Sequence, residues 1–185
     1  MAPVLPRLVL LDRDGVLNQD RDDYVKSPDE LIVLPGAPAA VARLNRAGIK
    51  VAVVTNQSAV GRGIITLAGL DAIHARLGAH LRAADAALDA LLFAPDAPTG
   101  ASERRKPGPG MLREALAQFG VAPDEAVMIG DQPTDVEAAR RAGVAFLLVR
   151  TGKGRTTEAT LAPGDARAVY DDLAHAVAAL LDGTP

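Results

Sequence analysis

The sequence has 185 residues, of which 49% are hydrophobic and 23% are charged, and its formal net charge is −3. This length supports one hydrophobic core, so we expect a single domain over residues 1–185. The acidic balance argues against nucleic acid or an anionic membrane as a partner. The absence of cysteine excludes disulfides and thiolate metal sites. No apolar run resembles a membrane span or a secretory leader, so we expect a cytoplasmic enzyme or binding domain.

Short apolar runs alternate with helical patterns along the chain. Strands are predicted over residues 7–11, 49–54, 88–93, 126–129 and 144–149, with a weak sixth strand near 168–170. Helices are predicted to open near 35–38, 67, 110, 134 and 171, and to end near 47, 84, 119, 142 and 181. This alternation predicts an α/β fold, a doubly wound parallel sheet with right-handed crossovers.

Two long segments interrupt this alternation. Residues 13–34 are polar and rich in turn formers, and residues 94–109 are rich in proline and glycine. Loops of this length inside a compact domain are usually functional or disordered. Because the first segment directly follows an acidic strand end, we expect it to face a substrate.

Polar side chains follow four of the predicted strands. They are Asp12 and Asp14, Thr55 and Asn56, Arg105 and Lys106, and Asp131 with Asp135. In a doubly wound sheet the switch point would bring the first and fourth strands side by side, and with them Asp12 and Asp131. Carboxylates that converge repel one another unless a cation lies between them, and a site built only of oxygens suits Mg²⁺. The sequence therefore predicts a Mg²⁺ site formed by Asp12, Asp14 and Asp131.

The same residues indicate phosphoryl transfer. An ionised Asp12 can attack phosphorus and form an aspartyl-phosphate. Asp14 can protonate the leaving oxygen and then take a proton from the water that hydrolyses the intermediate. Lys106 and Thr55 can donate hydrogen bonds to the charged phosphoryl oxygens. The predicted catalytic set is therefore Asp12, Asp14, Thr55 and Lys106.

Four segments resemble the four motifs of the haloacid dehalogenase (HAD) phosphohydrolases. They are Asp12-Arg13-Asp14-Gly15, Thr55-Asn56-Gln57-Ser58, Arg105-Lys106-Pro107 and Gly130-Asp131-x-x-x-Asp135. Further stretches, including Asp23-Tyr24-Val25 and Val149-Arg150-Thr151-Gly152-Lys153, are similar to the HAD subfamily that removes the 7-phosphate of D-glycero-D-manno-heptose 1,7-bisphosphate. The resemblance implies a HAD-like, Rossmannoid, Mg²⁺-dependent phosphatase without a large cap domain, whose substrate is a small phosphorylated sugar. It also implies substrate contacts from Arg13, Asp20, Asp23, Tyr24, Asn56, Gln57, Ser58, Arg105 and Gln132.

Two features depart from that subfamily. Many of its members hold zinc in the loop before the lysine, but residues 93–98 and 102–105 contain neither cysteine nor histidine. We therefore predict no zinc. Many members also have a lysine after the metal-binding aspartate, where this sequence has Gln132. Histidinol phosphate, or another small sugar phosphate, therefore remains an alternative substrate.

Several interpretations stay open. A receiver-type signalling domain also combines acidic residues, a hydroxyl and a lysine on a doubly wound sheet, but a phospho-switch gains nothing from a general acid at Asp14. Asp135 could interact with a helix dipole or support the metal site. His74, His80 and His175 follow no metal-binding spacing and are interpreted as structural or surface residues. Nothing in the sequence requires more than a monomer.

Overall fold

The computed structural model describes residues 5–183. Six strands form one parallel sheet in the order β3-β2-β1-β4-β5-β6. Their bounds are β1 Leu8–Leu11, β2 Lys50–Asn56, β3 Ala90–Ala94, β4 Ala126–Gly130, β5 Ala145–Val149 and β6 Ala168–Tyr170. The predicted doubly wound parallel sheet, including its weak sixth strand, is confirmed.

Within residues 5–183 there are seven α-helices, of which six lie between strands and the last follows β6. Their bounds are α1 Ala37–Arg46, α2 Ser58–Gly61, α3 Leu67–Arg82, α4 Gly110–Phe119, α5 Pro133–Ala142, α6 Gly154–Glu158 and α7 Leu173–Asp182. The short helices α2 and α6 were not predicted, because four or five residues are too few to show helical periodicity. Among the described residues, no helix has the length and apolarity that crossing a bilayer requires.

Two hydrophobic clusters cover the two faces of the sheet. Side chains of β1 alternate between them, with Val9 and Leu11 in one cluster and Leu8 and Leu10 in the other. Helices α1, α3 and α7 contribute to the first cluster, and α4 and α5 contribute to the second. Because both faces are covered, β1 is buried over its whole length, which explains why its sequence is continuously apolar.

The central position of β1 determines where the polar strand ends meet. Strand β1 pairs with β2 on one side and with β4 on the other, with Leu11 opposite both Val53 and Ile129. The pairing continues one residue further, because the Asp12 amide donates to the Ile129 carbonyl at 3.1 Å. The carboxyl ends of β1, β2 and β4 therefore lie at one point of the sheet edge, as the switch-point argument predicts.

The two long segments contain no inserted domain. Within the described chain, residues 13–34 hold one short 3₁₀ turn, Pro28–Glu30, and residues 95–109 hold no helix or strand. This agrees with the expected absence of a large cap domain. The open end of the sheet is therefore bordered by loops and by the first turns of α2 and α5, with no inserted domain over it in the described part of the chain.

Candidate active site

A cleft of about 270 Å³ lies at the carboxyl edge of the sheet. Most of the predicted site residues line it: Asp12, Arg13, Asp14, Asp20, Tyr24, Asn56, Gln57, Ser58, Arg105, Lys106 and Gln132. Residues from four segments thus meet in one cavity, although they are spread over more than 100 positions of the chain. A concave site with convergent charged groups is the expected form of a small-molecule site.

Lys106 lies at the centre of the charged groups and is completely buried. Its Nζ is 2.6 Å from Asp135 Oδ1 and 3.1 Å from Asp12 Oδ1. Burial alone would lower the pKa of Lys106, but the carboxylates of Asp12 and Asp135 raise it above its ordinary value. Lys106 is therefore a permanent cation that can face a phosphoryl group beside Asp12.

The main chain of Lys106 is held by the end of β2. The Asn56 side-chain amide donates to the Lys106 carbonyl at 2.8 Å, and its oxygen accepts from the Lys106 amide at 3.0 Å. Asn56 was predicted to contact the substrate. Both polar atoms of its side chain are instead engaged with the loop that carries Lys106, so it aligns that loop with β2.

Asp135 connects the lysine to helix α5. Its Oδ2 accepts hydrogen bonds from the amides of Asp131 and Gln132, each at 3.1 Å, while its Oδ1 contacts Lys106. Its position in the first turn of α5 and its contact with the site therefore coexist, although the sequence left them as alternatives. Asp135 is fully buried, and both of its oxygens already have partners.

Asp131 has one carboxylate oxygen that is buried and accepts no hydrogen bond. It is completely buried, and its Oδ2 accepts from the Lys153 amide at 2.8 Å. Its Oδ1 is buried without a hydrogen-bond partner, which is rare in folded proteins. Gly15 and Gly152 both adopt positive φ, at 81° and 57°, and a Cβ at either position would overlap Asp131 Oδ2. The carboxylate is therefore enclosed by tightly packed backbone.

A divalent cation fits these residues. Oxygens of Asp12, Asp131 and Asp135 lie within 4.8 Å of one another. Burial, and then the neighbouring carboxylates, raise the pKa of both Asp12 and Asp131 above the ordinary range. A cation would offset that cost and keep both groups ionised. Because the oxygens of Asp135 are already engaged, Asp12 and Asp131 are the carboxylates that could hold the ion, with carboxylate oxygens suited to Mg²⁺.

Asp14 does not belong to this cluster, contrary to the expectation that its carboxylate binds the metal. Its oxygens accept from Arg13 at 2.8 and 3.0 Å, from Asn18 at 2.8 Å and from Gln57 at 2.9 Å. Burial opposes ionisation of Asp14, but the Arg13 guanidinium and these hydrogen bonds lower its pKa overall. Donors therefore hold the Asp14 carboxylate in one orientation at the wall of the cleft.

Three other predicted residues, Thr55, Tyr24 and Asp23, occupy different positions relative to the cleft. Thr55 is fully buried, and its hydroxyl accepts from Gln57 at 2.9 Å. Tyr24 lies at the cleft with a φ of 66°, a conformation that non-glycine residues seldom adopt and that often occurs at binding sites. Asp23 is not in the cleft lining, contrary to prediction; it pairs with Arg21 and Lys26 on the exposed side of its loop.

The structure also brings residues to the cleft that the sequence analysis did not select. Arg21, Asp22, Val25, Thr134 and Lys153 line it. Lys153 follows β5, and its Nζ lies 3.5 Å from Asp20 Oδ2 across the cleft. The rule that functional residues follow parallel strands would have selected Lys153 if it had been applied to β5 as well.

The loop before Lys106 is ordered by polar contacts. Arg104 pairs with Glu114 through two hydrogen bonds, at 2.8 and 3.2 Å, and donates to the Phe93 carbonyl at 2.7 Å. Arg105 donates to the Asp96 carbonyl at 3.0 Å. These contacts connect the loop to β3 and α4. The absence of zinc stays a prediction, but the contacts show how the loop is held by its own side chains.

Comparison with known proteins identifies the class. A family model described as HAD-hydrolase-like matches residues 103–176. The chain is 42% identical over 174 residues to a D-glycero-beta-D-manno-heptose-1,7-bisphosphate 7-phosphatase of Pseudomonas aeruginosa, covering 94% of this chain and 97% of that one. The crystal structure of D,D-heptose 1,7-bisphosphate phosphatase from B. bronchiseptica, in complex with magnesium and phosphate, superposes with a TM-score of 0.92 at 42% identity, covering 96% and 99% of the two chains.

The same enzyme from Burkholderia thailandensis superposes with a TM-score of 0.75 at 36% identity, covering 95% and 98% of the two chains. The fold and the site thus define a phosphoric monoester hydrolase of the HAD-like class. Within that class, the chain belongs to the family of D-glycero-D-manno-heptose-1,7-bisphosphate 7-phosphatases.

Proposed function

We propose that this protein is a Mg²⁺-dependent phosphatase that removes the 7-phosphate of D-glycero-D-manno-heptose 1,7-bisphosphate through an aspartyl-phosphate. The observation that carries the proposal is the juxtaposition of Asp12, Lys106 and Asp131, with Asp131 Oδ1 buried and unpartnered. The names of the relatives support the substrate, and the magnesium and phosphate of the B. bronchiseptica enzyme support the cofactor.

The residues divide the chemistry between them. An Asp12 carboxylate oxygen attacks phosphorus and the bond to the sugar oxygen breaks, leaving the phosphoryl group on Asp12. Asp14, whose carboxylate must first take up a proton as the substrate phosphate binds, donates that proton to the departing oxygen and later accepts one from the water that cleaves the aspartyl-phosphate. Lys106, which lies beside Asp12, stabilises the negative charge on the phosphoryl oxygens.

We assign the metal to Asp12 and Asp131. When bound, Mg²⁺ would supply positive charge that offsets the two carboxylates and the substrate phosphate. Asp135, Asn56 and the Gly152 loop hold the groups that form this site. Of the polar residues that line the cleft, Asp20, Tyr24, Ser58, Arg105 and Gln132 are our candidates for contacts with the substrate.

We further propose that the whole chain acts as one phosphatase domain. Its only partner in this proposal is the small phosphorylated sugar; neither nucleic acid nor a membrane is involved. We expect a monomer in the cytoplasm. Sedimentation would test the oligomeric state directly, and a dimer would contradict this part of the proposal.

A substrate panel tests the proposed function. Phosphate release would be measured with Mg²⁺ from both anomers of heptose 1,7-bisphosphate, from histidinol phosphate and from simple sugar phosphates. We expect a clear preference for the heptose bisphosphate, with loss of the 7-phosphate visible by ³¹P NMR and loss of all activity in a chelator. A preference for histidinol phosphate would retain the chemistry and reject the substrate.

Asp131→Asn tests the metal site independently of turnover. In the metal-free protein, we expect the variant to melt at a higher temperature than the wild type, because it removes one of several buried carboxylates that repel one another. Mg²⁺ at a hundred times its Kd should stabilise the wild type by about 2.7 kcal/mol, or roughly 5–10 °C. The variant should show little of this rise.

Calorimetry, or a melting curve with and without Mg²⁺, measures both effects. Asp71→Asn is the matched control, because Asp71 is exposed on α3; it should melt and respond to Mg²⁺ like the wild type. An Asp131→Asn protein that responds fully to Mg²⁺ would contradict the assignment.

A further inference from the structure

One of the histidines interpreted from the sequence as structural or surface residues contacts a residue that lines the active site. His74 lies on α3, and its Nε2 is 3.2 Å from an Nη of Arg13, 61 residues away in the chain. The same imidazole packs against the ring of Phe93 on β3, with ring centroids 5.8 Å apart. The imidazole is therefore held between the core and the guanidinium beside the reacting groups.

The chemistry of the two groups determines which of them donates the hydrogen bond. A guanidinium has only donors, so Arg13 donates and His74 Nε2 accepts. The proton of the neutral ring must then lie on Nδ1. Burial, and then the positive charge of Arg13, lower the pKa of His74 to about 4, so the ring remains a neutral acceptor near neutral pH.

Arg13 transmits this contact to Asp14. Its side chain is only 1% exposed. One Nη and Nε contact Asp14 at 2.8 and 3.3 Å, while the other Nη contacts His74. Because the guanidinium is planar and rigid, fixing one of its edges also fixes the other. The contacts with His74 and with Asp14 together therefore determine the orientation of the guanidinium relative to the Asp14 carboxylate.

We propose that His74 is a positioning residue that, through Arg13, orients Asp14 for proton transfer to the leaving oxygen. This inference rests on the proposed function, in which Asp14 is the general acid. It assigns a role in the reaction to α3, although His74 belongs to none of the four motifs and does not line the cleft.

Leaving groups of different basicity distinguish positioning from a merely structural role. A sugar alkoxide needs a proton in order to leave, whereas 4-nitrophenolate leaves readily without one. For His74→Leu, which removes the acceptor, we expect the first-turnover release of the sugar to fall by about tenfold or more. First-turnover release of 4-nitrophenol from its phosphate should stay within about threefold of wild type. His74→Gln retains an acceptor oxygen and should restore most of the sugar rate.

Two further variants complete the experiment. His74→Asn keeps a polar side chain that is too short to reach Arg13, so it should behave like His74→Leu and serves if the leucine variant does not fold. His80→Leu, farther along α3, should leave both rates unchanged. Equal losses on the two substrates, or no loss on either, would overturn the inference. A wild type that hydrolyses neither compound would instead overturn the proposed function, and this inference with it.

Discussion

Replacing Asp12 with asparagine is expected to reduce phosphate release by about 10⁴-fold or more, because an amide cannot attack phosphorus. The side chain keeps its size, and one of several buried carboxylates becomes neutral. The loss should therefore occur without a lower melting temperature. Phosphate release under saturating substrate and a melting curve of the metal-free protein measure the two effects.

Asp14→Asn is the companion variant for this experiment. With 4-nitrophenyl phosphate it should form the aspartyl-phosphate and then hydrolyse it slowly, because no base activates the water. Mass spectrometry would show a phosphorylated chain in this variant but not in Asp12→Asn. A wild type that itself accumulates a stable phosphoprotein would favour the receiver-type interpretation, and an active Asp12→Asn enzyme would contradict our choice of nucleophile.

Lys106→Ala is expected to have the largest effect on folding stability. The substitution leaves Asp12 and Asp135 without the cation that lies 3.1 and 2.6 Å from them in a fully buried site. Removing one partner of a buried ion pair typically costs about 3–5 kcal/mol. Urea denaturation should show this decrease in the free energy of unfolding, and phosphate release should be lost as well.

The chain offers a matched control for this experiment. Lys50 also pairs with an aspartate at 2.7 Å, but the Lys50 side chain is 55% exposed, so Lys50→Ala should cost less than about 1 kcal/mol. The double variant Lys106→Ala/Asp135→Asn should regain part of the stability, since one unpaired buried charge is removed. Equal effects at Lys50 and Lys106 would show that burial does not determine the cost.

The sequence was sufficient to predict the fold and the meeting point of the acidic residues. Strand β1 is apolar throughout because both of its faces are covered, and parallel strands bring their carboxyl ends to one edge. Together these two facts placed Asp12 beside Asp131. The helix ends were also predictable, since Gly120 and Gly143 adopt the left-handed conformation that ends α4 and α5.

The orientation of individual side chains could not be predicted in the same way. Whether Asp14 faces a metal ion or the Arg13 guanidinium depends on donors from Asn18 and Gln57, which only the folded chain brings together. Asp23 and Asp20 lie three residues apart on one polar loop, yet only Asp20 lines the cleft. The contact of His74 joins segments that show no common pattern in the sequence.

The contact between Thr151 and the first motif has a consequence for synthesis of the protein. The Thr151 hydroxyl donates to the Gly15 carbonyl at 2.6 Å across 136 residues, and Thr157 donates to the Asp131 carbonyl at 2.7 Å. On the ribosome, the nucleophile emerges first, but these contacts form only after most of the chain has followed, on the order of ten seconds later. A growing chain therefore carries the nucleophile long before it can hydrolyse a phosphate.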